Sequence, residues 1–293
     1  MVGFLLQEVE LKRILIAQES DRHGGNKLGL MNPDVILEDM QKNGECRLWQ
    51  PNLTESQKEL WSLELENIDK LNKLAGKDVV HYIEDGDPTQ GNKHPSELVS
   101  QRLADQITIA IANEKPIFSV KNLKTARFAI GTGAHNFGQG SSDILIVNQL
   151  KALYPKKDIE ACYHGLIHYG EFTVDFAHHG PYTGSREWLK GNVARYYLQS
   201  MMIHAIKHGQ KPPDLVVRGH YHTPVIETVR LNGFTSHIVV SPSMCMVDDY
   251  AHQAAKSPDD VTCGMFVYEI VNDRLLEIHQ FIKTYDTRTE YFI

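Results

Sequence analysis

The sequence predicts an α/β fold. Short apolar segments that resemble buried strands alternate along the 293 residues with longer segments of helical periodicity. With 42% hydrophobic residues the chain can form one large core, and no linker-like stretch separates two folding units. We therefore expect a single domain over residues 1–293, with a helical insertion at 36–76.

Five predicted strands follow one another along the chain, and each ends in polar or glycine-rich residues. Short apolar runs bounded by turn residues are typical of buried strands. The five segments are RILIAQESD (13–21), DVVHYIEDGD (78–87), RFAIGTGAH (127–135), TVDFAHHG (173–180) and DLVVRGHYH (214–222). Two further strands are predicted at HIVVSPS (237–243) and GMFVYEIV (264–271), the last of them at a sheet edge.

Three helices are predicted between these strands. The first begins at a capping box formed by Thr54 and Gln57 and ends at Gly76. The second is capped by Ser96, and the third runs from about residue 186 to residue 208. Apolar residues recur at helical spacing in the first two: Trp61, Leu65, Ile68, Leu71 and Ala75, then Val99, Leu103, Ile107 and Ile111.

Composition narrows the functional classes. A net charge of −7 does not indicate a broad nucleic-acid-binding surface. The four cysteines have no C-x-x-C spacing, which favours reduced thiols in a reducing cytoplasm. Glu8 and Glu10 interrupt the apolar start of the chain, and no run approaches the length of a membrane span, so we expect a cytoplasmic protein without a membrane partner.

The strand ends carry the side chains that could form a site. In α/β sheets, ligands bind outside the carboxyl ends of the strands, so residues far apart in sequence would meet there. A glycine beside each polar group allows the backbone to turn or to approach a ligand closely. The candidate residues are Asp21 and His23, Asp87, His135, His178 or His179, and His220 with His222.

These residue types favour a metal site, although each has a structural alternative when taken alone. Asp21 and His23 could belong to a solvated turn, and Asp87 could be a turn former before Pro88. His135 could be a loop histidine bonded to backbone. Carboxylates and imidazoles without thiolates suit Mn, Fe or Zn. Two carboxylates and four imidazoles exceed the needs of one tetrahedral ion, and two ions sharing a carboxylate would use them. Such a pair can hold the attacking and leaving oxygens of a phosphoryl displacement.

The order of these motifs resembles the calcineurin-like metallophosphoesterase family. That family's sequence of D-x-H, G-D, G-N-H, a strand-end His and G-H-x-H is similar to DRH (21–23), GD (86–87), GTGAH (131–135), HHG (178–180) and GHYH (219–222). The resemblance covers about residues 13–224. The stretch YTGSREW and the long helix after it are similar to phage-encoded members.

The resemblance implies a four-layer α/β/β/α sandwich of two stacked mixed sheets, with the metal site at the carboxyl ends of the strands. It implies two divalent ions, Mn first and Fe, Zn or Mg as alternatives. A metal-bridging hydroxide would hydrolyse a phosphate mono- or diester, with nucleotide or DNA as candidate substrates. The residues implied are Asp21, His23 and His222 on one ion, Asp87 as the bridge, His178 and His220 on the second, and His135 as general acid.

Two departures from the family pattern bear on this interpretation. Ala134 stands where the family has an Asn ligand, so Thr132, Asn136 or water would have to supply that oxygen. Gln90 replaces an acid that often supports the catalytic His, and Asp85 or another acid would have to take that role. The alternative function is therefore a non-catalytic phosphate- or nucleic-acid-binding member of the same fold. A metallo-β-lactamase type of hydrolase is excluded because no H-x-H-x-D-H run occurs.

Overall fold

The structure is a computed structural model that describes residues 12–138, 140–184, 186–247 and 258–291. The acidic positions noted at the start of the chain lie outside these residues. The strands in chain order are β1 Arg13–Glu19, β2 Leu37–Met40, β3 Cys46–Trp49, β4 Val79–Glu84, β5 Leu123–Ala129, β6 Asp158–Cys162, β7 Gly165–Tyr169, β8 Phe172–Ala177, β9 Leu215–Arg218, β10 Val225–Leu231, β11 Phe234–Val240, β12 Asp260–Val271 and β13 Arg274–Asp286. The helices are α1 Glu55–Ala75, α2 Leu103–Phe118, α3 Ser141–Leu153 and α4 Asn192–Lys207.

The strands form two mixed sheets and a hairpin. The first sheet has the order β13-β12-β1-β4-β5-β6, and the second has the order β10-β11-β9-β8-β7. Within them β1, β4, β5 and β6 run parallel, as do β8, β9 and β11. Parallel strands end at the same edge of their sheet, so the loops after β1, β4 and β5 are neighbours, as are those after β8 and β9.

Alternate residues of the central strands face two different cores. Leu15 of β1 packs in a cluster with residues of α1, α2 and α3, whereas its neighbour Ile16 packs against Val174 and Val217 of the second sheet. Side chains two apart on a strand share a face, so a strand covered on both faces is apolar throughout. Full burial of each such side chain stabilises the fold by about 1.5–3 kcal/mol.

The second sheet is covered on its outer face by α4. Val216 and Ile238 pack there with Leu198 and Met202 of that helix. The layers are thus helices α1 to α3, the first sheet, the second sheet, and α4. The predicted α/β/β/α sandwich with two stacked mixed sheets is confirmed.

Several predicted element bounds differ from the structure. The helix predicted from Ser96 begins at Leu103, because a short 3₁₀ turn occupies 95–97 and Leu98 is extended. The helix predicted from about residue 186 begins at Asn192, after a 3₁₀ turn at 187–189 and Gly191 in a left-handed conformation. The segment GMFVYEIV is not at an edge, since β12 lies between β13 and β1.

The segment 36–76 contains more than a helix. The β2–β3 hairpin precedes α1, which begins at the predicted capping box of Thr54 and Gln57. Ile68 and Leu71 of α1 pack in the same core as β1 and β4. The assignment of this segment as an insertion within one domain stays a prediction. Among the described residues, no helix has both the length and the apolar character needed to span a membrane.

Candidate metal centre

The structure brings the predicted site residues together at the carboxyl ends of five strands. Four groups of them have ligand atoms within 4.8 Å of one another. The residues follow the parallel strands at the centres of the two sheets, which is why residues some 200 positions apart are in contact. The groups are Asp21, His23 and His222; Asp21, Asp87 and His178; His23, Asp87 and His135; and His178, His179 and His220.

The first group surrounds one oxygen of Asp21. The Nε2 atom of His222 lies 3.1 Å from Asp21 Oδ1, and the Nε2 atom of His23 lies 3.7 Å from it. The two imidazole Nε2 atoms are 3.2 Å apart. Three atoms with lone pairs thus point at a common position.

The second group surrounds one oxygen of Asp87. The Nε2 atom of His178 is 2.9 Å from Asp87 Oδ2 and 4.0 Å from Asp21 Oδ1. Its other ring nitrogen contacts the backbone carbonyl of Asp85 at 2.5 Å, which places the hydrogen on Nδ1 and leaves Nε2 to face the site. Histidine ligands of metals are commonly oriented in this way.

Each carboxylate is fixed by one oxygen and presents the other. Asp21 Oδ2 accepts hydrogen bonds from the Ser20 hydroxyl at 2.5 Å and from the His220 backbone N–H at 2.9 Å. Asp87 Oδ1 accepts one from the Thr132 backbone N–H at 2.6 Å. The remaining oxygens, Asp21 Oδ1 and Asp87 Oδ2, are buried and face imidazole nitrogens instead of backbone donors. Buried carboxylate oxygens need a donor or a positive charge, and divalent cations between them would satisfy both. The residues therefore fit a cation pair.

The backbone at these residues is held in an uncommon conformation. Eight non-glycine residues of the described chain have a positive φ, and five of them are predicted ligands: Asp21, His23, Asp87, His220 and His222. The other three, Asn232, Asn272 and Asp273, lie in turns between paired strands. The left-handed region costs non-glycine residues about 1–3 kcal/mol each, and such strain clusters at ligand sites. The strained backbone conformations therefore occur at residues that the sequence motifs identified as candidate ligands.

Two glycines allow the loops to come close together. A Cβ atom on Gly131 would lie 2.1 Å from Asp87 Oδ1, and one on Gly219 would lie 2.1 Å from the Ser20 hydroxyl oxygen. Neither position can accept a side chain without displacing a group that fixes a carboxylate. The glycines in GTGAH and GHYH are therefore explained by close approach of the backbone.

The charges of the site are strongly coupled. Burial would raise the pKa of Asp87, but the neighbouring His178 outweighs it and lowers the pKa to about 2. Burial opposes charge on His178 as well, and the carboxylates of Asp87 and Asp21 overcome it and raise its pKa to about 10. Burial and the facing rings of His135 and His222 lower the pKa of His23 to about 3. Burial likewise opposes charge on His222, but the Asp21 carboxylate outweighs it and raises its pKa. Without an ion, positive charge on the imidazoles therefore offsets the two carboxylates, which is the charge that cations would supply.

His135 lies at the edge of the first group. Its Nδ1 contacts the backbone carbonyl of Gln90 at 2.9 Å, and its ring packs edge-on against His23 with centroids 4.5 Å apart. A carbonyl can only accept, so Nδ1 carries the hydrogen. Asp85 does not support His135, because its carboxylate accepts instead from Gln18 at 2.9 Å. In this chain the Gln90 carbonyl orients the His135 ring, whereas an acid often has that role in the family.

The HHG motif places its two histidines differently. His178 is buried among the carboxylates, whereas His179 is exposed and packs edge-on against His220 with centroids 4.7 Å apart. His178 is therefore the one that faces Asp87, as expected from the order of the motif. His220 is half-buried, and burial lowers its pKa to about 4.

A fully buried charge cluster lies directly beneath the site and was not predicted. The guanidinium of Arg22, between Asp21 and His23 in sequence, is buried and forms ion pairs with four glutamates. Its partners come from β1, α1, β4 and α2: Glu19, Glu64 at 3.4 Å, Glu84 at 3.3 Å and Glu114 at 3.3 Å. Burial raises the pKa of Glu64 and Glu84 well above the usual value and that of Glu114 to about 7.

Two further residues contact the site directly: the sequence does not predict one of them, and it offers the other only as an option. Ser20, whose hydroxyl fixes Asp21, precedes the D-x-H motif and carries no signal of its own in the sequence. Thr132 was only one of three options for the missing amide oxygen, and its hydroxyl lies 3.1 Å from His178 Nε2 and 3.2 Å from His220 Nδ1.

A cavity of about 660 Å³ lies elsewhere, between α4 and the strands β7 and β8. It is bordered by Glu171 in the β7–β8 turn and by Lys211 before β9, at the opposite ends of the parallel strands. None of the predicted site residues lines it. The candidate chemistry is therefore assigned to the strand ends and not to this cavity.

Comparison with known proteins supplies similar structures but no similar sequence. Neither a protein-family model nor a curated protein sequence matches the chain. Similar solved structures include the sulfate thiohydrolase SoxB of Thermus thermophilus, with 10% identity and a TM-score of 0.38, in a match that covers 93% of this chain and 56% of that one. The phosphoesterase YfcE of E. coli has 12% identity and a TM-score of 0.37, and the match covers 90% of this chain and 98% of YfcE. A metallophosphoesterase of Sphaerobacter thermophilus has 12% identity and a TM-score of 0.31, and the match covers 91% of this chain and 89% of that one. The chain spans just over half the length of the SoxB chain.

At TM-scores below 0.4 this likeness concerns the arrangement of sheets and helices, and the site is interpreted from its own residues. Two of the three structures named are those of phosphoesterases.

Proposed function

We propose that the protein is a metal-dependent phosphoesterase that hydrolyses phosphate mono- or diesters. The observation that supports this best is the pair of buried carboxylate oxygens on Asp21 and Asp87, each facing imidazole nitrogens within about 3–4 Å. Structural ion pairs alone would not require five ligand residues in left-handed conformations.

The proposed ligand sets combine the four groups with the assignment that the family resemblance implies. Asp21, His23 and His222 would hold one ion, His178 and His220 the second, and Asp87 would join the two. Carboxylate and imidazole ligands suit Mn, with Fe, Zn or Mg as alternatives. Bound there, two divalent ions would lower the pKa of a coordinated water and offset the negative charge of the phosphoryl oxygens.

His135 is proposed to give a proton to the departing oxygen of the ester. Its Nδ1 hydrogen is held by the Gln90 carbonyl, so Nε2 is the ring atom left to act on substrate. General acids of this kind contribute about 10²–10⁴-fold to rates. The ring lies beside His23, so a substrate held by the first ion would be within its reach.

A nucleic-acid strand or nucleotide is the substrate class that we propose. The stretch 179–197, which runs from the β8–α4 loop into α4, carries the exposed Tyr182, Trp188 and Tyr196, and with Tyr221 after β9 we call these the aromatic rim. Trp188 is 77% exposed, and the ring of Tyr182 packs edge-on against Tyr221, which contacts His220. Exposed aromatic rings stack on bases, at about 1–3 kcal/mol per base, and cations bind phosphates. The same stretch, 179–197, has one acid and three cations: Glu187, and Arg186, Lys190 and Arg195.

A binding assay tests the role of the rim. The variants Trp188→Ala and Tyr196→Ala should each weaken binding of a fluorescent single-stranded oligonucleotide to the metal-free chain by roughly 5–100-fold. Tyr291→Ala is the matched control, since that ring is 83% exposed at the other end of the sequence. Equal losses for Tyr291 and Trp188 variants would contradict the proposed substrate.

The enzyme itself is tested with Asp87→Asn. The chain and this variant would be assayed with Mn present on bis-nitrophenyl phosphate, nitrophenyl phosphate, single-stranded and duplex DNA, and cyclic nucleotides. We expect turnover of at least one ester by the chain and none by the variant, with the circular dichroism spectrum unchanged. Hydrolysis retained in Asp87→Asn would contradict the proposed phosphoesterase function. Two bound ions without any hydrolysis would instead favour the non-catalytic phosphate- or nucleic-acid-binding alternative.

A further inference from the structure

The loop after β5 supplies an oxygen to the second group that the sequence pattern does not predict. The side chain before His135 is a methyl group, since position 134 is alanine. Two residues earlier, Thr132 Oγ1 lies 3.1 Å from His178 Nε2 and 3.2 Å from His220 Nδ1. Its backbone N–H also fixes Asp87 Oδ1 at 2.6 Å. One residue thus contacts both histidines and the carboxylate proposed for the second ion.

The atoms around Thr132 Oγ1 converge on one position. A hydroxyl carries one hydrogen, so Thr132 can donate to only one of the two imidazole nitrogens. Asp87 Oδ2 lies 2.9 Å from the same His178 Nε2. A cation between these atoms would be bound by all of them at once.

The other candidate on the same loop is engaged elsewhere. Asn136 is buried, and its Oδ1 accepts a hydrogen bond from the backbone N–H of Gly138 at 3.0 Å. That bond closes a local turn and occupies the amide oxygen. Thr132 is consequently the residue of this loop whose side-chain oxygen faces the histidines.

We propose that the hydroxyl of Thr132 is a ligand of the second cation, completing a set with His178, His220 and Asp87. This inference rests on the proposed function only in that it requires the centre to bind two ions. A neutral hydroxyl is a weaker donor than a carboxylate. The second ion is therefore expected to bind more weakly than the first.

Calorimetric titration of the metal-free full chain with Mn²⁺ tests the inference without any activity measurement. The chain should bind two ions. Thr132→Val keeps the shape of the side chain and removes the oxygen, so it should bind the first ion with unchanged affinity and the second at least tenfold more weakly. Thr125→Val is the matched control, because Thr125 Oγ1 also contacts a histidine, His81 at 2.8 Å, outside the centre. That control should bind both ions as the parent chain does.

The pair Thr132→Ser and Thr132→Ala serves as a second comparison if valine perturbs the loop, since the two variants differ by one oxygen. We expect the serine variant to keep the second ion and the alanine variant to lose it. Equal binding of the second ion by both, or by Thr132→Val and the parent chain, overturns the ligand role and leaves the phosphoesterase proposal intact. A parent chain that binds no Mn²⁺ overturns the proposed function instead.

Discussion

Replacing Arg22 with Met should cost stability in a manner that depends steeply on pH. The substitution keeps most of the side chain's length and removes the positive charge that four buried glutamates share. Uncompensated buried charge costs about 3–5 kcal/mol when one partner of a pair is removed. Here the carboxylates have a second option, which is to take up a proton.

The loss of stability in Arg22→Met is set by the free-energy cost of binding that proton. Loss of one positive charge is balanced if the folded variant binds one proton more in this cluster than the folded parent chain does. Protonating a glutamate with an unfolded pKa of about 4.3 costs about 1.4 kcal/mol per pH unit above that value. The loss is therefore about 5 kcal/mol at pH 8 and about 1.7 kcal/mol at pH 5.5. The sign is fixed by linkage: a folded pKa raised above the unfolded value gives stability that is complete below pH 4.3 and falls as pH rises.

Urea unfolding followed by circular dichroism at pH 5.5, 6.5 and 8 measures this directly. The free energy of unfolding of Arg22→Met, relative to the parent chain, should fall by about 1.4 kcal/mol per pH unit. Arg127→Met is the control, because its partner Asp158 is exposed and surface ion pairs contribute only about 0–1 kcal/mol. A loss in Arg22→Met that is equal at all three pH values would refute the reasoning.

Three further predictions concern the centre. His135→Ala should slow hydrolysis of an alkyl phosphate ester by about 100-fold or more and that of a nitrophenyl ester far less, and equal losses in kcat would contradict the acid role. Adding Mn²⁺ at about 100 times its Kd to the metal-free chain should raise the Tm by roughly 5–10 °C, because binding at that level stabilises the folded state by about 2.7 kcal/mol, and an unchanged Tm in calorimetry would argue against a metal centre. Gly131→Ala, which directs a Cβ at Asp87, should lose at least tenfold in Mn²⁺ affinity by titration, whereas Gly133→Ala in the same loop meets no atom within 4 Å and should bind as the parent does.

The sequence predicts the central strands well because their chemistry is local. The runs before Asp21, Asp87 and His178 are apolar and short, and they are buried between layers in the structure. The capping box at Thr54 is likewise a local signal, and it forms as expected. The ends of these strands can therefore be identified from the order of residues alone.

What the sequence does not predict depends on contacts between distant segments. The helix α3 begins at Ser141, after a glycine-rich stretch that ends with Gly140 in a left-handed conformation, so no capping side chain marks its start. The positive φ of Asp21 and His23 is equally hidden, since even Asp and His, which adopt this region more often than other non-glycine residues, do so in a small minority of cases and where surrounding contacts impose it. The position of Thr132 follows from how β5, β8 and β9 end beside one another, which no single segment encodes.

The proposed ligands come from both sheets. Asp21, His23, Asp87 and Thr132 follow strands of the first sheet, and His178, His220 and His222 follow strands of the second. Ions bound at the centre would therefore cross-link two layers whose shared core is built from apolar side chains. Metal loading should then slow amide hydrogen exchange at the facing strand ends of both sheets together, so that occupancy of the centre governs how readily the sandwich opens.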